Sequence, residues 1–141
     1  MSAVSIRNVS KAFNEGKSNQ VDALREVSLD VEPGEFISLI GPSGCGKSTL
    51  LRLIANLLEP TAGEVAVNGK SATQARLDQD YGMAFQQAGL FDWRTVRKNI
   101  ELPLELKGWD KSARRARAEE MLQLVQLPEF ADHYPWQLSG G

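Results

Sequence analysis

The sequence predicts an incomplete α/β fold, with an antiparallel β part at the N-terminus, a core built around a glycine-rich loop, and an α-helical subdomain behind it. Three observations carry this reading. The nearly continuous apolar run Phe36-Ile37-Ser38-Leu39-Ile40 opens directly onto a loop that begins at Gly41. Short β-like runs dominate up to about residue 93, and helical spacing dominates beyond it. Charge shifts with the pattern: residues 1–93 carry a net −3, residues 94–118 a net +5 and residues 119–141 a net −4. One partial domain is therefore expected, with a β and loop-bearing part over 1–93, a helical part over 94–141, and a change of character near 86–94.

Element by element, Val4-Ser5-Ile6-Arg7-Asn8-Val9 alternates and reads as a half-buried strand, followed by a polar loop at Asn14 to Asn19. Leu24 to Val31 alternates again, and Pro33-Gly34 turns the chain. Phe36 to Ile40 has the pattern of a strand buried on both faces. Ser48 to Leu58 sets Leu50, Leu51, Ile54, Leu57 and Leu58 at helical spacing, with Pro60 and Gly63 ending the helix. Glu64 to Val67 is a strand meeting the tight turn Asn68-Gly69, and Tyr81 to Phe85 is a further short strand. Val96, Ile100 and Leu104, then Ala113, Ala116, Met121, Leu124 and Val125, predict two helices split by Pro103 and Gly108.

Composition narrows the function classes. With 16 Lys+Arg against 18 Asp+Glu, the chain is not a generally basic nucleic-acid binder. Apolar residues at 42% and charged residues at 24% give globular rather than disordered composition. Cys45 is the single cysteine, which excludes an intramolecular disulfide and a multi-cysteine metal site and fits a reducing compartment. Residues 1–12 lack the apolar stretch of a secretion signal, and Leu50 to Leu58 is interrupted by Arg52 and Asn56, far short of the ~20 apolar residues of a membrane span. Membrane association is expected only through a partner.

Gly41-Pro42-Ser43-Gly44-Cys45-Gly46-Lys47-Ser48-Thr49 fits G-x-x-x-x-G-K-[ST], and it lies between a strand pattern and a helix pattern, the context this motif requires. The core is therefore predicted to be that of a P-loop NTPase. Glycines let successive N–H groups turn inward around phosphate oxygens, and the following helix adds its positive end. Lys47 would reach the β- and γ-phosphates of ATP as a point charge, and the Ser48 hydroxyl would be a ligand to Mg2+. Cys45, at a variable position, reads as a small loop residue rather than a reactive thiol.

Further segments follow in a familiar order. Phe85-Gln86-Gln87 comes after a predicted strand, Leu90-Phe91-Asp92-Trp93-Arg94-Thr95-Val96 with Asn99-Ile100 enters the helical part, and Leu138-Ser139-Gly140-Gly141 ends the sequence. With the loop, they resemble the ATP-binding subunits of ABC transporters over the whole length. Gln86 is similar to the family's Q-loop glutamine, the Leu90–Val96 segment to importers of the nitrate, sulfonate and taurine type, and the ending to the start of the LSGGQ motif. The resemblance implies that Gln86 contacts Mg2+ or the attacking water, and that Ser139, Gly140 and Gly141 meet the γ-phosphate of an ATP held by a second subunit paired head-to-tail. It also implies membrane-spanning permease subunits docked through the Gln86 to Val96 region, and a cytoplasmic protein peripheral on the inner face of the cell membrane. Phe13 occupies the place where the family stacks an aromatic ring on adenine; alternatively it is a core residue at a strand end.

Departures set further expectations. Asp92 stands where such importers commonly have proline, Trp93 is either partner-facing or subdomain core, and the basic run Lys111, Arg114, Arg115, Arg117 reads as a solvated helix face. His133, the single histidine, lies ahead of the LSGG segment and so is not the family's switch histidine. No apolar run ending in Asp-Glu follows Ser48, so a Walker B segment is missing from this sequence. The chain is thus expected to be an N-terminal fragment with weak ATPase activity alone, and Phe36 to Ile40 to lie along an unpaired edge. The alternative is a non-hydrolysing nucleotide-binding or interaction fragment.

Overall fold

The computed structural model describes residues 1–139. The chain forms two compact units, Met1–Ala84 and Phe85–Gly141. In the first, β1 (Val4–Phe13), β2 (Val21–Val31), β3 (Ala62–Val67) and β4 (Lys70–Ser71) make a sheet of order β2-β1-β3-β4, with every neighbouring pair antiparallel. Two helices, α1 (Lys47–Ile54) and α2 (Ala72–Leu77), complete it. The antiparallel N-terminal sheet expected from the alternating runs is present.

The strands do not keep strict period two. Ile6 and Val9 are both fully buried although three residues apart. Between them the β1–β2 register slips from Ile6↔Leu29 to Val9↔Val27, and Asn8 and Glu26 take left-handed φ values of 47° and 45°. A bulge of this kind turns Val9 back to the core face and leaves backbone N–H groups off the ladder. Serine hydroxyls recover them: Asn8 N donates to Ser28 Oγ at 2.9 Å and Glu26 N to Ser10 Oγ at 2.9 Å. Asn68 and Gly69, at φ 52° and 74°, form the expected two-residue turn between β3 and β4.

Helix α1 lays Leu50 and Leu53 against Ile6, Val9 and Leu24, forming the core of the first unit. It stops at Ile54, earlier than Pro60 and Gly63 predict, because Asn56 adopts φ 55° and Leu57 N returns to Arg52 O at 2.8 Å. Leu57 beyond its end is exposed, as is Leu51 on its outer face, and Leu53 is the buried centre of the helix.

Two expected strands are corrected. Phe36 to Ile40 and Tyr81 to Phe85 have no ladder partner among the described residues and are not strands. Phe36 and Ile40 are 90% and 94% exposed, so the apolar run lies bare without forming a strand edge among the described residues.

The second unit packs α3 (Val96–Leu106) on α4 (Lys111–Leu124), followed by 3-10 turns at Pro128–Phe130 and Pro135–Gln137. The break between the helices falls at Gly108, with φ 80°, and not at Pro103, which α3 absorbs. Val96, Leu122 and Ala131 form its core, with Ile100 and Leu138 against them. On α4 the buried positions are Ala118 and Leu122, whereas the expected Ala113, Ala116, Leu124 and Val125 face outward. Lys111, Arg115 and Arg117 form the expected solvated face; Arg114 is turned in, with Nε 3.7 Å from Oε2 of the buried Glu101. No helix among the described residues is long and apolar enough to cross a membrane.

Candidate functional site

The Gly41–Thr49 segment runs as a turn into the first turn of α1, with Cys45 N donating to Pro42 O at 3.3 Å and Leu50 N to Gly46 O at 2.9 Å. Gly46 is the residue the geometry constrains most. Its φ is 100°, and a Cβ there would sit 2.7 Å from Ala23 O and 2.8 Å from Leu24 Cδ2, so strand β2 abuts the loop from behind. Ala23 and Leu24 therefore belong to the support of the loop, a role with no signal in the motif itself.

Lys47 folds back over the loop, donating through Nζ to Gly41 O and to Pro42 O, the latter at 2.8 Å, with Cys45 Sγ 3.3 Å away. The ammonium is thus held among loop carbonyls, where it leaves the segment electropositive. It also draws the Cys45 thiol below its ordinary pKa, chiefly by hydrogen bonding to the sulfur, against a smaller opposing effect of burial. Ser43, Gly44, Cys45 and Ser48 are exposed.

The helix ends make the loop distinctive. Thr95 caps α3 by accepting from Lys98 N, Asp110 caps α4 by accepting from Ala113 N, and Ser71 caps α2 by accepting from Gln74 N. Helix α1 begins at Gly46 with no side-chain cap. Its first-turn N–H groups keep their donor capacity and the positive end of the helix dipole, the arrangement that binds an anion. Among the described residues no group of three or more His, Cys, Asp or Glu side chains gathers as a metal site. A hydroxyl beside phosphate oxygens is nonetheless a donor set that suits Mg2+, and Ser48 supplies the hydroxyl.

The other predicted site residues lie apart from the loop in the chain. Phe13 ends β1 opposite Val21, partly buried but outside the core cluster, with Lys11 Nζ 5.4 Å from its ring centroid. Gln86 is exposed near the start of the second unit, and Ser139 is exposed just beyond Leu138. Gly140 and Gly141 lie outside the described residues. Trp93 is 73% exposed, its ring centroid 4.5 Å from that of Phe91, so it is not subdomain core.

Asn99 carries no motif signal of its own beyond its place in the Leu90–Ile100 segment. It is buried at the first turn of α3, accepts from Phe91 N at 2.8 Å, and donates from Nδ2 to Phe91 O, Arg94 O and Thr95 O, each at 3.1 Å. One side chain so fixes the loop that carries Phe91 and Trp93. Its only signal in the sequence is an asparagine on the face shared by Val96 and Ile100, four residues after a threonine cap.

A family model described as ABC transporter matches residues 24–141. The chain is 46% identical to the methionine import ATP-binding protein MetN of Corynebacterium glutamicum, over 98% of its own length and 40% of that protein's. It is 41% identical to the taurine import ATP-binding protein TauB of Roseobacter denitrificans, over 100% of its own length and 52% of that protein's. A solved dimeric structure of the ATP-binding cassette MJ0796, in a post-hydrolysis state bound to ADP and Pi, superposes with a TM-score of 0.87 at 39% identity, covering 97% of this chain and 63% of that one. The chain thus spans about half or less of the length of these curated relatives. With the family model matched over most of its residues, the chain belongs to the ABC transporter family, as part of an ATP-binding subunit.

Proposed function

We propose that the chain forms the nucleotide-holding part of a subunit that energises solute import by an ABC transporter. The observation that carries this is the uncapped N-terminus of α1 behind the Gly41–Lys47 loop, the one α-helix among the described residues that keeps its end open to an anion. In this reading the loop N–H groups, Lys47 and the α1 dipole hold the phosphates of ATP. Ser48 and Gln86 would be the residues that hold Mg2+, which would supply charge neutralisation at the phosphates. Phe13 stacks on adenine through its π-face, and Ser139, Gly140 and Gly141 contact the ATP of a second subunit paired head-to-tail.

In the same reading the Gln86–Val96 segment is the face for membrane-spanning permease subunits, and the protein is cytoplasmic and peripheral on the membrane's inner face; the exposure of the Phe91–Trp93 pair supports this. The relatives named above are described as serving methionine and taurine import, and a sulfate/thiosulfate import protein, CysA of Synechococcus elongatus, is 47% identical, which supports a small polar or anionic solute. The Leu90–Val96 segment favours the nitrate, sulfonate and taurine type. Uptake of labelled nitrate, taurine, methionine and sulfate by cells with and without the intact gene tests the reading. Loss of uptake for one of them is expected; unchanged uptake of all four contradicts it.

A further inference from the structure

Arg97 sits in the first turn of α3, where the helix dipole disfavours a cation and where no acidic residue is present. Its side chain is only 17% exposed, and its Nε is buried with no hydrogen-bond partner. A cation retained in such a place needs another reason, and the surroundings supply one. Its guanidinium pairs with Asp132 and reaches Glu119 on α4 at 3.8 Å. Its own backbone N donates to Ala131 O at 2.9 Å, and Val96 N donates to His133 O at 2.8 Å. Two of the N–H groups that a helix start leaves unpaired are therefore taken by carbonyls of the 131–133 turn.

That turn leads directly to the exposed Ser139. Ala131 packs with Val96 and Leu122, and Leu138, the residue before Ser139, rests on the same cluster. The 131–133 turn is thus held to α3 by two backbone hydrogen bonds, one apolar contact and one charge pair, and of these the charge pair alone is made by side chains that a conservative exchange can reverse. We infer that Arg97 is a positioning residue: by bracketing Asp132 onto the start of α3, it fixes the direction in which Leu138 and Ser139 leave the helical unit. The same first turn is joined through Asn99 to the Phe91–Trp93 loop, so Ser139 is held in register with the face proposed for partner docking. The consequence for activity rests on the reading of Ser139 as a phosphate contact; the placement itself does not.

Backbone hydrogen exchange on the 141-residue chain tests the placement without nucleotide, so its failure is distinct from failure of the phosphate reading. Arg97→Ala is expected to speed exchange about threefold across residues 130–139, since the Asp132 side chain is 78% exposed, while leaving residues 112–122 of α4 and the first unit unchanged. Asp132→Ala alone should do the same, and Arg97→Lys, which keeps the positive charge beside Asp132 and Glu119, should retain slow exchange. A general stabilising role predicts faster exchange throughout the helical unit instead. In the same variants, ATP affinity of the Gly41–Thr49 loop is expected to stay within about twofold of the unsubstituted chain. Faster exchange throughout the helical unit, no change at 130–139, or fast exchange in Arg97→Lys would each overturn the assignment.

Discussion

Gly46 meets two constraints at once: a left-handed backbone and strand β2 pressed against the place where a side chain would begin. Alanine there faces strain of about 1–3 kcal/mol and displaces either the loop or Leu24. Gly46→Ala should lower the thermal midpoint and weaken ATP binding together, read by thermal unfolding and nucleotide titration of one sample; a loss of binding with unchanged stability would show that the contact with β2 is not what requires glycine. Lys70 offers a second residue-level test, because its ammonium lies 2.6 Å from Asp78 and 2.9 Å from Asp80. Hydrogen bonds from Lys70, above all, hold both carboxyls below their ordinary value of 3.8, and the same contacts raise Lys70 above 10.5. Groups with depressed folded-state pKa values stabilise above the unfolded value and lose that stabilisation as pH falls through the folded one; the raised lysine stabilises below 10.5 and loses its share as pH rises through its own folded value. The stability difference between the chain and Lys70→Met should therefore be constant near neutrality, shrink below about pH 4 and shrink again above about pH 10.5. A difference that persists unchanged at pH 2 would contradict it.

Among the elements, β1 depends on its bulge and on Gly63, whose φ is 86° and whose Cβ would fall 2.4 Å from Asn8 O. Helix α3 depends on Asn99, and Asn99→Ala would strip four hydrogen bonds from the Phe91–Thr95 loop, at a cost of about 1–3 kcal/mol. In a chain carrying Trp109→Phe and Trp136→Phe, the fluorescence anisotropy of Trp93 should then fall; unaltered anisotropy would mean that the loop is held by something else. Sequence and structure part at this scale for physical reasons. The Gly41–Thr49 loop is legible because its chemistry requires fixed residue types next to one another in the chain. The end of α1 at Ile54 is decided by one asparagine in a left-handed conformation, which the apolar spacing through Leu58 does not report. The bulge that turns Val9 inward breaks the period by which strands are recognised, and only the three-residue gap from Ile6 hints at it. Arg114 reads as one of four surface cations until the buried Glu101 beside it is seen.

At the scale of the molecule, Phe36 to Ile40 concentrates both the success and the failure of reading by pattern. Its apolar content marks it for burial, but a strand exists only through its neighbours, and none of the described strands pairs with it. Such a bare apolar run promotes association. Sedimentation of the 141-residue chain should show concentration-dependent self-association that Phe36→Lys with Ile40→Lys reduces; a monodisperse monomer before any substitution would count against an exposed run. The central claim is that the open start of α1 and the loop before it hold the phosphates of ATP. The most direct measurement is calorimetric titration of ATP with Mg2+ into the chain and into Lys47→Ala. Saturable binding is expected, weakened roughly 10–100-fold by loss of the charge-assisted contact in the variant. Equal binding by both, or none by the unsubstituted chain, would contradict the account.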